Sequence, residues 1–498
     1  MKNAISPIRT QDFSEWYQQV IKEADLAENS PVRGCMIIKP LGYSVWENIQ
    51  KVLDLEFKKT GHQNVYFPML IPLSYLEKEA EHVDGFAKEC AVVTHRRLIQ
   101  DEKGLKPDGA LQEPFVIRPT SEMVIGDAFS NWVKSYRDLP IKINQWANVM
   151  RWEMRPRIFL RTSEFLWQEG HTVHETAEEA KDETLQMLYI YRDFVQNYLG
   201  VPLILGRKTE SEKFPGADTT YTIEAIMQDG KALQAGTSHF LGQNFAKAQN
   251  IKFLDKDGIE KHAYTTSWGV STRLIGGLIM THSDDDGFVL PPMISSLHVK
   301  ILPIYKKDEE KALVAEFIQN LTHKLAEKTF NRAPIQIDVD WKEGRGGEKY
   351  WSQIKKGTPI ILEIGPRDVA ASKVFMTRRD KEQGQKISLT SEEFVLQVEN
   401  ILTDIQAELF NRALLRRKQQ IVEAHSKEEL IKALSDDQNF PLKSVLAYVS
   451  DSEESRAVLD EYKASFRCIP LENNPEVNEK CLLTGAPVSH KVLIARSY

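Results

Sequence analysis

Arginine and glutamate recur in a spacing that could bind a phosphorylated nucleotide. Arg151-Trp152-Glu153 is followed, after a short charged loop, by Arg161-x-x-x-Phe165-x-x-x-Glu169. Residues two apart on a strand point to one face. Strands over 141–154 and 161–170, joined by the charged turn RPRI, would place Arg151 with Glu153 and would align Arg161, Phe165 and Glu169. Such a surface offers two guanidinium groups, one aromatic plate and two carboxylates. Guanidinium forks suit phosphate oxygens and keep their charge at working pH. An aromatic ring gives a purine a stacking face. The competing reading, a solvated and salt-bridged sheet face, fits Arg151 and Glu153 taken alone but not the ordered set of five. A third arginine, Arg273, follows Gly269 where a strand end feeds a helix in GVSTRLIGGLIM (Gly269–Met280). A helix start attracts anions, although an arginine there can also be merely solvated.

These residues need a scaffold to hold them. The chain has 498 residues, 42% hydrophobic and 27% charged, which suits several globular domains. Its net charge of −7 excludes a uniformly basic binder but not a local basic face. Four cysteines, Cys35, Cys90, Cys468 and Cys481, are too scattered for a disulfide scaffold and fit a reducing, cytoplasmic setting. No secretory signal is read at MKNAISPIRTQDF, and no run approaches the roughly 18 apolar residues of a membrane span.

Phe13, Trp16, Tyr17, Val20 and Ile21 lie at helical spacing after Thr10 and Asp12. A second amphipathic helix runs from about Tyr43 to Lys59 and stops at Gly61. VYFPMLIP (Val65–Pro72) reads as an edge or terminating strand. A helix over 176–198 precedes a set of strands over 201–268. Strands that follow one another directly predict an antiparallel sheet with helices up to about 290. After Pro291 and Pro292, residues 297–405 alternate strand and helix as an α/β layer with a mixed sheet. Residues 406–498 open with Arg412, Arg416, Arg417 and Lys418 and form a small third unit.

The paired strands and Arg273 resemble motifs 2 and 3 of class II aminoacyl-tRNA synthetases, and Pro68 resembles the proline that closes motif 1. RPTSE (Arg118–Glu122), NQWANVMRWE (Asn144–Glu153), RTSEFLWQEGH (Arg161–His171), GRKTESEKFPGAD (Gly206–Asp218), QAGTSH (Gln234–His239) and ILEIGPRD (Ile361–Asp368) together resemble the prolyl-tRNA synthetase family. The similarity is to its eukaryote- and archaeon-like form, which has a C-terminal extension and ends in Tyr, here Tyr498. It covers nearly the whole chain. The implied fold is an α+β catalytic domain on an antiparallel sheet (1–290), an α/β anticodon-binding domain (297–405) and a small α+β C-terminal domain (406–498).

The resemblance implies ligation of L-proline to tRNA(Pro) with ATP and Mg2+, in a homodimer built on motif 1. Thr120, Glu122, Arg151, Trp167, Phe214 and His239 would form the proline pocket. Arg151, Glu153, Arg161, Thr162, Phe165, Gln234, Thr237, Ser271 and Arg273 would hold ATP, with Arg151 and Arg273 catalytic. Bland readings stand beside these. Thr120 and Glu122 could form a helix cap, Trp167 and Phe214 could be ordinary core, and His239 could be structural. Glu363 and Arg378 are candidate anticodon readers, in a basic stretch with Arg367, Lys373, Arg379 and Lys381 that could equally be a solvated face.

Two departures from the family pattern stand out. Thr272 replaces the usual acidic residue before the motif 3 arginine, leaving Gln234 as the candidate magnesium ligand. Zinc is not expected. The first cysteine pair of the related C-terminal domain is replaced within AYVSDSEESRAV (Ala447–Val458), and Leu483 stands where a cysteine would follow Cys481. Bacterial-type members carry a large editing insertion between motifs 2 and 3, for which this chain has no room. GRGGEK (Gly344–Lys349), HTVHE (His171–Glu175) and DDDG (Asp284–Gly287) lack the spacing of a phosphate loop, a zincin and a calcium loop. Two other readings compete: another class II synthetase of the subgroup, such as a threonyl enzyme, or a synthetase-like RNA-binding or regulatory protein without catalysis. Joint survival of Arg151, Arg161 and Arg273 argues against the latter.

Overall fold

The computed structural model describes residues 4–77, 89–382, 385–435 and 442–498. Asp12 caps α1 (Phe13–Glu23) by accepting from the Glu15 amide, and Trp16, Tyr17, Val20 and Ile21 are its buried stripe. α2 (Pro40–Lys59) starts on a proline, whose missing N–H costs nothing in a first turn. It ends before Gly61, at φ 88°. Val65–Met69 are not strand. The apolar run yields only β2 (Leu70–Pro72), after β1 (Gln63–Asn64). β2 forms one edge of a three-stranded sheet with β4 (Gly104–Ile117) and β3 (Ala91–Asp101).

The catalytic sheet comprises β5 (Ile141–Met150), β6 (Glu164–His174), β7 (Leu203–Arg207), β8 (Thr219–Ile226), β9 (Ala232–Gly242) and β10 (Tyr264–Ser271). Among the described residues its order runs β7-β8-β9-β10-β6-β5, antiparallel throughout, with β1 parallel to β5 at the edge. α4 (Ala177–Asn197) crosses one face of this sheet, with α5 (Arg273–His282) beside it. α3 (Glu122–Trp132) follows RPTSE at the rim. On the helical side Trp268 is fully buried and lies so close to the neighbouring strand that a Cβ on Gly170 would be 2.0 Å from its ring. The opposite face stays open.

The second domain has the sheet order β12-β11-β13-β14-β15: β12 (Ile337–Val339), β11 (Val299–Pro303), β13 (Ile360–Ile364), β14 (Lys373–Arg378) and β15 (Lys386–Thr390). The first three are parallel and the last two antiparallel, giving the mixed sheet. α6 (Asp308–Ala326) and α7 (Gly346–Lys356) flank it. α8 does not stop near residue 405. It runs from Ser391 to Gln420 with Phe394, Val398, Leu402, Ile405 and Leu409 buried at three- and four-residue intervals. The basic residues expected to open the third unit are its last turns. They brace the catalytic domain: Arg416 donates to the Thr281 carbonyl at 2.5 Å and Arg417 to the Leu203 carbonyl.

The C-terminal unit contains β16 (Ile421–Glu423), α9 (Lys427–Leu434), β17 (Ser444–Ala447), α10 (Glu453–Glu461), β18 (Ala464–Pro470) and β19 (Val492–Arg496). Its strands join the catalytic sheet. Pairing of β18 with β7, Ile469 to Arg207 and Pro470 to Gly206, extends the sheet to eleven strands among the described residues. No described helix is long and apolar enough to cross a membrane.

Candidate active site

The open face of the catalytic sheet is a set of rows in register. Glu169, Gly269, Thr237 and Thr222 lie side by side across β6, β10, β9 and β8; His171, Ser267, His239 and Thr220 form the next row. The period of two puts Phe165, Trp167 and Glu169 on this face. Above it lies a cleft of about 320 Å3 lined by Thr120, Glu122, Arg151, Phe165, Trp167, Phe214, Gln234, Thr237, His239, Ser271 and Arg273, among others. A second cavity of about 190 Å3, lined by Glu89, Glu153, Arg161 and Thr162, shares Arg151, Phe165, Ser271 and Arg273 with the first. Every residue expected to bind proline or ATP therefore lines one of two adjoining spaces.

The strand geometry expected for the arginines is not what places them. β5 ends at Met150 and β6 begins at Glu164, so Arg151, Glu153 and Arg161 all lie in the connection between them. Arg155, Pro156 and Arg157 of RPRI reach solvent, and the chain turns inward just after them. Ile158, Phe159 and Leu160 are buried, Phe159 takes φ 64°, and the Ile158 carbonyl accepts from the Tyr17 hydroxyl at 2.8 Å. The Leu160 carbonyl then accepts from Arg273 Nε at 3.2 Å, fixing the third arginine. Arg151 is fixed by Nε donating to the Pro119 carbonyl at 2.8 Å, with its guanidinium 5.8 Å from the ring centroids of both Phe165 and Trp167. Arg118 of RPTSE is 2% exposed and donates to the carbonyls of Phe67 and Asn148, so it anchors that segment and does not face the cleft.

Charge divides the cleft. At one end Arg273 is half-buried, and desolvation together with Arg161, Arg151 and Arg467 lowers its pKa to about 10; it remains cationic at neutral pH. Burial also lowers that of Arg151, against the pull of Glu122, Glu89 and Glu169. At the other end Thr120 donates to the Glu122 carboxylate. The helix N-cap is Ser121, whose hydroxyl makes no capping bond and donates to Glu169 at 2.6 Å, so the capping alternative for Thr120 does not hold. Glu169 also accepts from Gln145 at 2.8 Å and pairs with His171 at 3.1 Å. Burial opposes a charged His171, but Glu169 and Glu122 outweigh it and its pKa is raised. Phe214 and His239 form a wall, ring centroids 4.7 Å apart. Burial, with His171 and Lys208 nearby, holds His239 at about 3, so it is neutral. The Trp167 indole N–H and the Ser267 hydroxyl are buried without a hydrogen-bond partner.

Glu169, aligned with Phe165 by alternation, lines the cleft; His171, Lys208 and Ser267 line it too but were not among the expected site residues.

Among the described residues no three of His, Cys, Asp and Glu gather as a metal cage. Thr272 is fully buried with its hydroxyl unpartnered, so it does not replace an acidic ligand. Gln234 in the cleft and Glu153 in the adjoining cavity offer oxygen donors. That set fits a magnesium ion carried on nucleotide phosphates, which needs one or two protein oxygens, rather than a resident one.

A family model described as "tRNA synthetase class II core domain (G, H, P, S and T)" matches residues 106–282, and one described as "Prolyl-tRNA synthetase, C-terminal" matches 427–498. One described as "Anticodon binding domain" matches 298–400. A curated proline–tRNA ligase of Bdellovibrio bacteriovorus is 56% identical over 496 residues, 99% of either chain. That of Rhodopirellula baltica is 54% identical over 100% of this chain and 98% of its own, and that of Paramagnetospirillum magneticum 53% over 100% and 99%. The chain belongs to the prolyl-tRNA synthetase family.

Within this prolyl-tRNA synthetase architecture the two expected anticodon readers are not brought together. Glu363, on β13, faces Phe375 across the sheet and pairs with Lys386. Arg378 lies at the far end of β14, 9% exposed, with its fork on Asp380 (3.0 and 2.8 Å) and its third nitrogen on Asp404 (2.6 Å). Its donors are committed inside the domain, which argues against a base contact. Arg379, 2% exposed, binds Asp284 of the catalytic domain at 2.7 and 2.6 Å. The basic stretch is thus partly an interdomain brace. In the C-terminal unit Cys481 Sγ accepts from the amides of Ser450 (3.2 Å) and Leu483 (3.4 Å), while Ser455 approaches to 3.9 Å. Thr484, rather than the side chain of Leu483, completes this group, bonding Ser450 at 3.2 Å. Burial raises the Cys481 pKa, but hydrogen bonds from Ser450, Thr484 and the amides bring it to about 6.

Proposed function

We propose that this chain activates L-proline with ATP, releasing pyrophosphate, and transfers the prolyl group to the 3′ end of tRNA(Pro). The observation that carries the reading is the charged lining of the two adjoining spaces: Glu122 and Glu169 line the first, Arg161 the second, and Arg151 and Arg273 border both. Proline carries a secondary ammonium with two N–H donors, and carboxylates are its best acceptors. Glu122 and the Thr120 hydroxyl receive it; Glu169, held by Ser121, Gln145 and His171, adds negative potential. Trp167, Phe214 and neutral His239 wall the pyrrolidine ring without adding a competing cation. The proline carboxylate then points at Arg151, which also holds the α-phosphate.

Carboxylate oxygen attacks the α-phosphorus in line, and the bond to the bridging oxygen of pyrophosphate breaks. Catalysis of this kind is positioning plus neutralisation of charge. Arg161 and Arg273 take the charge that develops on the β- and γ-phosphates, Phe165 stacks on adenine, and Glu153, Thr162, Thr237 and Ser271 contact the nucleotide. Gln234 would hold Mg2+ carried on the phosphates, and the ion would supply charge neutralisation for the displaced oxygens. The terminal ribose hydroxyl of tRNA(Pro) then attacks the prolyl carbonyl carbon of the adenylate; its proton is lost, the bond from that carbon to the phosphate oxygen breaks, and AMP leaves. The second domain serves the anticodon, with Glu363 as its candidate reader. The active form is a homodimer in the cytoplasm, magnesium comes with ATP, and no zinc is held. Proline-dependent ATP–pyrophosphate exchange tests the reading; exchange driven by threonine, or by no amino acid, would overturn it.

A further inference from the structure

Near the N-terminus, Ala27–Asn29 and Met36–Ile38 pair antiparallel as a short ribbon. Its tip is closed by the Ser30 amide donating to the Cys35 carbonyl and the Cys35 amide donating to the Val32 carbonyl, both at 3.0 Å. Pro31, Val32 and Arg33 are exposed there, but Gly34 is buried. The tip grips the connection between β5 and β6 at two places. Arg33 Nη2 donates to the Met154 carbonyl at 3.0 Å, and the Gly34 carbonyl accepts from the Ser163 amide at 2.7 Å. Ser163 is fully buried and is not part of the lining of either cavity. Its carbonyl accepts from the Arg151 amide at 2.7 Å, and its hydroxyl oxygen accepts from the Glu153 amide at 3.2 Å. Ser163 thus ties the ribbon to the backbone of two residues assigned to ATP. The fit requires glycine at position 34. Its φ is 83°, in the left-handed region, and a Cβ there would overlap Ser163 Oγ and stand 3.0 Å from Ser163 Cβ. A ribbon that only reversed direction would leave its whole tip in solvent; this one buries its single residue without a side chain against Ser163.

We propose that Gly34 and Ser163 are positioning residues for ATP. The ribbon tip holds Ser163, and Ser163 sets the backbone from which Arg151 and Glu153 present their side chains to the nucleotide. A segment outside the matched core of residues 106–282 thereby takes part in adenylate formation, where a displacement of about 1 Å can cost two decades of rate. The inference rests on the assignment of Arg151 and Glu153 to ATP.

The test uses the full chain and proline-dependent pyrophosphate exchange, with KM for ATP and for proline measured separately and melting followed on the same preparations. Ser163→Ala keeps both backbone bonds and loses the one to Glu153. The ATP KM rises about three- to tenfold, the effect of one lost hydrogen bond, while the proline KM changes less than about twofold. Gly34→Ala displaces Ser163 as a whole and raises the ATP KM on the order of tenfold or more. Combining Gly34→Ala with Ser163→Gly removes the atoms that the new Cβ would overlap, and leaves the ATP KM within about twofold of Ser163→Gly alone. Multiplied effects in that double variant would mean that Gly34 acts apart from Ser163 and would overturn the inference. Equal changes in both KM values of Ser163→Ala, or a loss of stability with no KM change, would overturn it too; this variant decides the matter if Gly34→Ala does not fold. Glu153→Ala separates the two levels. An unchanged ATP KM there would remove the nucleotide assignment and this inference with it, whereas a raised one beside a silent Ser163→Ala would refute this inference alone.

Discussion

Arg151→Ala tests the centre of the site, because Arg151 borders both cavities. The guanidinium has two functions whose losses can be separated. Structurally, Nε satisfies the Pro119 carbonyl at 2.8 Å, a bond worth about 1 kcal/mol. Two aromatic faces at 5.8 Å add roughly 0.5–2 kcal/mol each. Against this, the variant relieves the repulsion between Arg151 and Arg273. The net cost is about 1–3 kcal/mol, a few degrees of melting temperature in a chain of this size. Catalytically, the variant loses a preorganised donor at the α-phosphate and the carboxylate, for which removal typically costs about 3–4 kcal/mol, or two to three decades in kcat. Arg151→Lys keeps a charge but cannot bond Pro119 and two oxyanions at once, so about one decade should be lost. The assay is proline-dependent pyrophosphate exchange, with circular dichroism melting of the same preparations. A folded Arg151→Ala protein within about threefold of the parent would refute the argument, since no effect assigned to this residue is that small.

His282 is buried, its Nε2 is 2.8 Å from the Leu199 carbonyl, and burial holds its pKa at about 3. The unfolded chain therefore binds a proton near pH 6.5 that the folded chain refuses, so stability is complete above that pH and falls below it, by about 2 kcal/mol per such histidine at pH 5. His282→Gln should flatten the melting temperature between pH 7 and 5; an unchanged slope would show that His282 is not the proton acceptor. Metal analysis of protein purified without chelators should find no zinc, because one thiolate and three hydroxyls around Cys481 do not make a tetrahedral sulfur site; about one zinc per chain, lost on Cys481→Ser, would overturn this. Alanine should support slow exchange, since it lacks roughly two methylenes of ring contact at about 0.8 kcal/mol each and no wall can exclude it by clash. Ala-tRNA(Pro) should persist with the pure protein, and rapid enzyme-dependent deacylation would reveal an editing site.

Helices whose buried residues repeat locally were legible. Trp16, Tyr17, Val20 and Ile21 mark α1, and the change from β10 to α5 at Arg273 was read from Gly269 and the apolar run. The site's membership was legible because residue types carry the chemistry. Its geometry was not. Residues 151–163 read as strand and charged turn, but residues 158–160 within them fold inward, where Tyr17 and Arg273, more than a hundred residues away in either direction, satisfy the carbonyls of Ile158 and Leu160. Arg378 and Arg379 looked like a nucleic-acid face because a sequence does not reveal Asp404 or Asp284 beside them. Nothing local in ASFRCIP says that β18 pairs with β7.

That pairing has a consequence during synthesis. β7 leaves the ribosome roughly 250 residues before β18, at a few to a few tens of residues per second. Meanwhile the catalytic sheet has an open edge at β7, with free N–H and C=O groups able to template another strand. A product truncated before β18 should therefore aggregate through that edge rather than behave as a smaller, working enzyme.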